Sequence, residues 1–127
     1  MDLTKKNKEF IMRYYHSMSG VPKPIELCKK FISEQRLIDN IQFWDGALPK
    51  YELIADEVIA EGNRVVVRAR MIGKHEGILN GIPPTQKEVE LPFVIGYEVE
   101  NEKIVGHWLF ADQVLLMEQL GVMKQPI

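Results

Sequence analysis

Apolar residues recur at helical spacing through the first third of the chain and at strand spacing afterwards. Leu3, Phe10, Ile11, Tyr14 and Met18 form one stripe, which predicts an amphipathic helix over residues 3–18. Asp2 or Thr4 can cap its start, and Gly20 marks its end. Pro24 suits the first turn of a second helix with Leu27, Cys28 and Phe31 inward. A third helix, about 34–48, gathers Leu37, Ile38, Ile41, Trp44 and Leu48, with Ser33 as cap and Pro49 as stop.

From Tyr51 the period falls to two. Tyr51–Ala60 reads as a strand, Glu61–Gly62–Asn63 as a hairpin turn, and Arg64–Glu76 as a second strand. One face of that second strand is Val65, Val67, Ala69, Met71, Gly73 and His75. Gly77–Thr85 is a loop punctuated by Gly81 and Pro83–Pro84. A third strand over about 87–99 turns Val89, Leu91, Phe93, Ile95, Tyr97 and Val99 inward, and Pro92 and Gly96 predict a bend or bulge in it. In the last strand, alternation puts Ile104, Gly106, Trp108, Phe110 and Asp112 on one face. A short helix over Gln113–Leu120 follows, ended by Gly121, with a loose tail over 122–127.

Helices first and strands afterwards make an α+β domain, a single unit over 1–127, with one curved, mostly antiparallel sheet carrying its helices on one side. Such a sheet encloses a cone-shaped hollow. Met71, His75, Phe93, Tyr97, Trp108, Phe110 and Asp112 are expected to point into it, and Trp44 is either a core anchor or a wall of the same pocket. The opposite face would carry Val66, Ile72, Val94, Val105, His107 and Leu109. That much apolar surface predicts a homodimer across the outer sheet face.

Composition narrows the classes. A net charge of −2 leaves no basic footprint for nucleic acid. A lone cysteine, Cys28, allows no internal disulfide and suits a reducing, cytoplasmic setting, where it reads as a small core residue. The lysines near the N-terminus have no apolar run behind them, so no signal peptide is expected, and no stretch reaches membrane-spanning length. No histidine spacing suggests a metal site.

Two segments, IAEGNRVVVRARMIGKHEGILNGIPPT (59–85) and KIVGHWLFADQVLLMEQLG (103–121), resemble those of the SnoaL-like polyketide cyclase family within the NTF2-like superfamily. The first is similar to a hairpin followed by G-T-H-x-G-x-x-x-G-I-P-P-T-G, and the second to K-I-x-E-H-W-x-x-x-D-x-x-x-L-x-x-Q-L-G. The resemblance implies an NTF2-like cone-shaped barrel. Lys74 stands where the family usually has Thr, Gln86 where it has Gly, and Gly106 where Glu is common. The helical first third also looks shortened, so the substrate does not transfer by analogy.

The resemblance also implies a chemistry: aldol-type ring closure or proton transfer on a small hydrophobic carbonyl compound, with no cofactor. Asp112 matches the family's acid/base aspartate, and His107–Trp108 match its H-W pair. Asp112 would be the general base, shielded from water by Trp108 and Phe110. His75 or Tyr97 would be the donor that steadies the developing oxyanion. Trp44, Met71, Phe93, Tyr97, Trp108 and Phe110 would surround the guest. Against this stands the helix N-cap, for which aspartate is among the best residues. With Asp112 only a cap, the pocket would serve a non-catalytic small-molecule binder, or be vestigial in a dimeric interaction module.

Overall fold

In a computed structural model that describes residues 2–122, three helices precede the sheet: α1 (Leu3–Met18), α2 (Ile25–Phe31) and α3 (Gln35–Ala47). The sheet is β1 (Glu52–Glu61), β2 (Arg64–Lys74), β3 (Glu88–Glu100) and β4 (Lys103–Ala111), and α4 (Gln113–Leu120) closes the order. The strands lie in the order β1-β2-β3-β4, every pair antiparallel. This is the α+β architecture that the change of period predicts. From position 123 on, the expected tail falls outside the described residues.

Local chemistry explains the helix ends. Asp2 caps α1 by accepting from the Thr4 N–H at 3.3 Å, and Gly20 takes the left-handed conformation just beyond the helix. The cap expected of Ser33 is not made. Glu34 is the N-cap residue of α3 and makes no side-chain cap bond, while the Ser33 N–H and hydroxyl both donate to Ile104 O. That contact ties the α2–α3 corner to β4. At the same end of the sheet, Asn7 Nδ2 donates to Gly62 O at 2.9 Å and the Gly62 N–H donates to Thr4 Oγ1 at 2.8 Å. Two side chains of α1 thereby hold the first hairpin turn.

The inner face of the sheet is fixed by strict alternation. Val65, Val67, Ala69 and Met71 of β2, and Val89, Leu91, Phe93, Ile95, Tyr97 and Val99 of β3, are all buried. The bend expected in β3 at Pro92 and Gly96 leaves its register with β2 unbroken. The irregularities fall on the outer strands instead, at Asp56 of β1 and Val105 of β4.

The irregularity in β4 decides which side chains enter the cone. Glu98 pairs with Gly106 but Val99 pairs with Ile104, so Val105 is an extra residue and the faces exchange beyond it. Ile104 is buried, His107 faces α3, and Leu109 and Ala111 line the hollow. Trp108 and Phe110, expected inside, lie on the outer face at 43% and 73% exposure. The Trp108 indole lies over Gly96, where an added Cβ would come within 2.2 Å of it.

Behind the hollow, the loop after β2 docks on the end of α3. The Glu76 and Gly77 N–H groups both donate to Ala47 O at 3.1 Å. A Cβ on Gly77 would sit 1.9 Å from Gly46 O, a backbone atom that cannot swing aside. We expect Gly77→Ala to destabilise the protein by about 2–4 kcal/mol, an overpacking and hydrogen-bond loss together. Chemical denaturation measures it, and a change under about 0.5 kcal/mol, the scale of an ordinary surface substitution, would show that the loop is not clamped there.

Candidate active site

The hollow is a cavity of about 350 Å³ between α3 and the inner face of the sheet. Leu37, Ile41 and Trp44 come from α3, Leu53 from β1, Met71 from β2, Leu91, Phe93, Ile95 and Tyr97 from β3, and Leu109 and Ala111 from β4. Tyr14 of α1 and Tyr51 complete the interior. Asn40, Phe43, Asn80 and Gln113 form a more exposed rim. Four of the expected pocket residues, Trp44, Met71, Phe93 and Tyr97, are therefore brought together on its wall.

The other expected members are not. Trp108 and Phe110 are excluded by the exchange of faces at Val105. Asp112 is exposed, and its Oδ1 accepts the Leu115 N–H at 3.0 Å as the N-cap of α4. The expected shield of two aromatic rings is absent because those rings follow the outer face. Asp112 nonetheless sits between Ala111 and Gln113, both of which line the cavity.

His75 faces inward as alternation predicts and is fully buried, but it is not part of the cavity wall. Its Nδ1 accepts from the Thr85 N–H at 3.1 Å and lies 3.0 Å from the Thr85 hydroxyl. The Nε2 has no hydrogen-bond partner among the described residues. His75 anchors the Pro-rich loop, then, from outside the cavity wall. His107, swung inward by the same bulge, is paired with Glu34, and its carbonyl accepts from Arg36 at 2.8 Å.

Of the phenols that line the cavity, Tyr97 is an expected donor, whereas Tyr14 reads in the sequence as part of a helix stripe and Tyr51 as a strand start; Tyr15 lies behind them. Together with Tyr97 they form one cluster: Tyr14 and Tyr15 each meet Tyr97 edge-on, at 5.9 and 6.2 Å between ring centres. The Tyr15 and Tyr97 hydroxyls are hydrogen-bonded at 2.8 Å. Burial, reinforced by neighbouring phenols, pushes the ionisation of Tyr14, Tyr51 and Tyr97 above the ordinary tyrosine range. Near neutral pH they are uncharged donors. A search for aromatic residues on facing elements, rather than for acids and histidines, would have found them.

Tyr51 is itself held from behind. Lys23, only 1% exposed, places its ammonium 3.8 Å from the Tyr51 ring centre and donates to Tyr51 O at 2.8 Å and Val21 O at 2.9 Å. Burial lowers its pKa to about 8, partly offset by Asp45. The cation does not line the cavity. No group of three or more His, Cys, Asp or Glu is gathered among the described residues, and no described helix is long and apolar enough to cross a membrane.

With this geometry in view, the comparisons with known proteins are informative. Residues 31–120 match the model of the SnoaL-like polyketide cyclases. A candidate SnoaL-like polyketide cyclase from Jannaschia sp. CCS1 superposes with a TM-score of 0.82 at 18% identity, covering 98% of this chain and 97% of that one. The candidate hydroxylase AclR from Streptomyces galilaeus gives 0.83 at 18% identity, over 98% and 86% of the two chains. The candidate polyketide cyclase IdmH from Streptomyces antibioticus gives 0.76 at 20%, over 92% and 99%. At such identities the structures establish the NTF2-like fold and nothing finer. No curated protein matches the sequence.

The cap can be separated from any chemistry. We expect Asp112→Ala to cost about 1 kcal/mol and Asp112→Asn less than about 0.5 kcal/mol, because asparagine caps nearly as well. No loss in Asp112→Ala, measured by thermal or urea unfolding, would mean that the Leu115 N–H bond contributes nothing, and equal losses in both variants would assign the effect to the charge at the helix N-terminus.

Proposed function

The chain belongs to the SnoaL-like polyketide cyclase family, and from that premise we propose that its cavity binds a small, hydrophobic, carbonyl-bearing molecule. The observation that carries this reading is a hollow of about 350 Å³ with apolar and aromatic walls, open at a rim of amides, with a few uncharged donors inside. Burying a guest's apolar surface there supplies affinity, and the donors orient it.

On that binding rests the family's chemistry: cofactor-free removal of a proton from carbon next to the carbonyl, leading to an aldol-type closure or an isomerisation. Asp112 is the candidate base, because it matches the family's acid/base aspartate and sits between two lining residues, Ala111 and Gln113. To act, it must give up the Leu115 N–H and turn over the rim. The donor to the enolate oxygen is Tyr97, which lines the cavity as His75 does not. A binder without turnover is the second reading, favoured by the exposed, capping position of that same carboxylate.

A single probe tests both. We expect 2-acetylnaphthalene to bind the protein and Ala111→Trp, which fills the hollow, to abolish binding while leaving the fold intact. In deuterium oxide the enzyme should speed exchange of the acetyl protons, followed by NMR. Asp112→Asn should slow that exchange by about 10²–10⁴-fold, the usual loss of a general base. Exchange at the buffer rate with intact binding would favour the carrier, and full exchange by Asp112→Asn would remove Asp112 as the base.

We also propose that two copies associate through the outer sheet face. Ile59, Val94, Trp108 and Phe110 are exposed there. The arginines of the same face are already matched within the chain: Arg70 pairs with Asp56 and Glu90 at 2.8 Å, and Arg68 with Glu57 at 3.4 Å. An apolar surface framed by neutralised charges suits self-association. Light scattering should find a dimer that Phe110→Asp converts to monomer; a monomeric wild type at micromolar concentration would overturn the proposal.

A further inference from the structure

Among the described residues, the cavity wall holds no ionisable group that is charged near neutral pH. Its polar side chains are the phenols of Tyr14, Tyr51 and Tyr97, the amides of Asn40, Asn80 and Gln113, and the Trp44 indole N–H; among the described residues no Asp, Glu, Lys, Arg or His lines it. The nearby buried cation, Lys23, is engaged by two backbone carbonyls and the far side of the Tyr51 wall. A guest carboxylate would therefore enter without a counter-ion, which is costly.

The phenols are also paired in a way that lets a proton be offered inward. Tyr15 does not line the cavity, and Tyr97 is its sole hydrogen-bond partner among the described residues. Either hydroxyl can donate in this pair; once a carbonyl oxygen enters the cavity, the arrangement that satisfies both phenols has Tyr15 donating to Tyr97 and Tyr97 donating to the guest. Donation from Tyr15 polarises that O–H further.

From these two observations we infer that the site selects neutral ligands carrying a ketone, enone or quinone oxygen, read by the Tyr97 hydroxyl with Tyr15 as its positioning residue, and rejects the corresponding carboxylic acids. The inference rests on the ligand-binding reading above and adds the functional group, its charge and the atom that reads it. Tyr97 touches the guest; Tyr15 acts only through Tyr97.

Three naphthalenes of similar shape test it by equilibrium dialysis: 2-acetylnaphthalene, 2-ethylnaphthalene and 2-naphthoate. The wild type should prefer the ketone to the hydrocarbon by about tenfold, the worth of one buried hydrogen bond. The carboxylate should bind about a hundredfold or more weakly than the ketone, the loss expected for an unpaired buried charge. Tyr97→Phe should erase the preference for the ketone and keep the hydrocarbon affinity, which also reports that the cavity is intact. Tyr15→Phe should narrow the preference and return the carbonyl stretch of bound 2-acetylnaphthalene part of the way to its value in water. Equal binding of ketone and hydrocarbon by the wild type, a preference that survives Tyr97→Phe, or naphthoate binding as tight as the ketone would each overturn the inference while leaving the pocket reading standing. If Tyr97→Phe fails to fold, the infrared shift in the wild type decides, and its absence counts against the hydrogen bond. Hydrocarbon affinity unchanged in Ala111→Trp would place the guest elsewhere and remove both readings.

Discussion

One inserted residue, Val105, sets what the cone can contain. A strand presents its side chains with a period of two, so a single extra residue reverses every position beyond it. In β4 that reversal sends Trp108 and Phe110 to the outside and brings His107, Leu109 and Ala111 to the inside. The hollow, the outer apolar face and the position of Asp112 at the rim all follow from it. With regular pairing, two large rings would stand where an alanine and a leucine now leave space.

The consequence for chemistry is a separation of roles along one strand. Family-type proton transfer needs a carboxylate near the guest and a donor facing it. Here the donors, the neutral phenols, are deep and fixed by mutual packing, whereas the carboxylate is shallow and held by one cap bond. Because the proton to be removed lies on the carbon next to the carbonyl that the phenol holds, the two can work together only if the carboxylate leaves its cap and swings in to that carbon.

Most of the architecture was legible because its signals were redundant. Gly20, Pro49 and Gly121 punctuate helices whose stripes already fix them, and β2 and β3 alternate so strictly that their inner rows follow from parity alone. β4 carried no such redundancy. In IVGHWLFA both parities contain apolar residues, so either face satisfies the pattern, and parity gives no warning of a bulge. The cavity wall is legible only in part for a related reason. Acids and histidines stand out in a sequence, whereas Tyr14 and Tyr15 of α1 read as packing until the fold brings their rings within 6.2 Å of Tyr97. His75 was placed on the correct face, but facing inward is not the same as facing the hollow, and Thr85 already occupies its Nδ1.

Stability alone gives no reason for such an arrangement. Unfilled volume in a core costs about 24 cal/mol per Å³ when it is closed and dry. On that scale a cavity of about 350 Å³ represents several kcal/mol, reduced here by the opening at the rim. The chain holds the material to fill it: two large aromatic side chains lie one register step away, exposed on the other face of the same strand. A protein under pressure only to pack its core would lose the bulge, gain that burial and close the hollow. Keeping Val105 forgoes both gains, and what remains is an accessible chamber on one side of the sheet and an exposed aromatic pair on the other. An unfilled interior and a surface left apolar are costs of the same insertion, and a guest inside with a second copy outside would offset both at once.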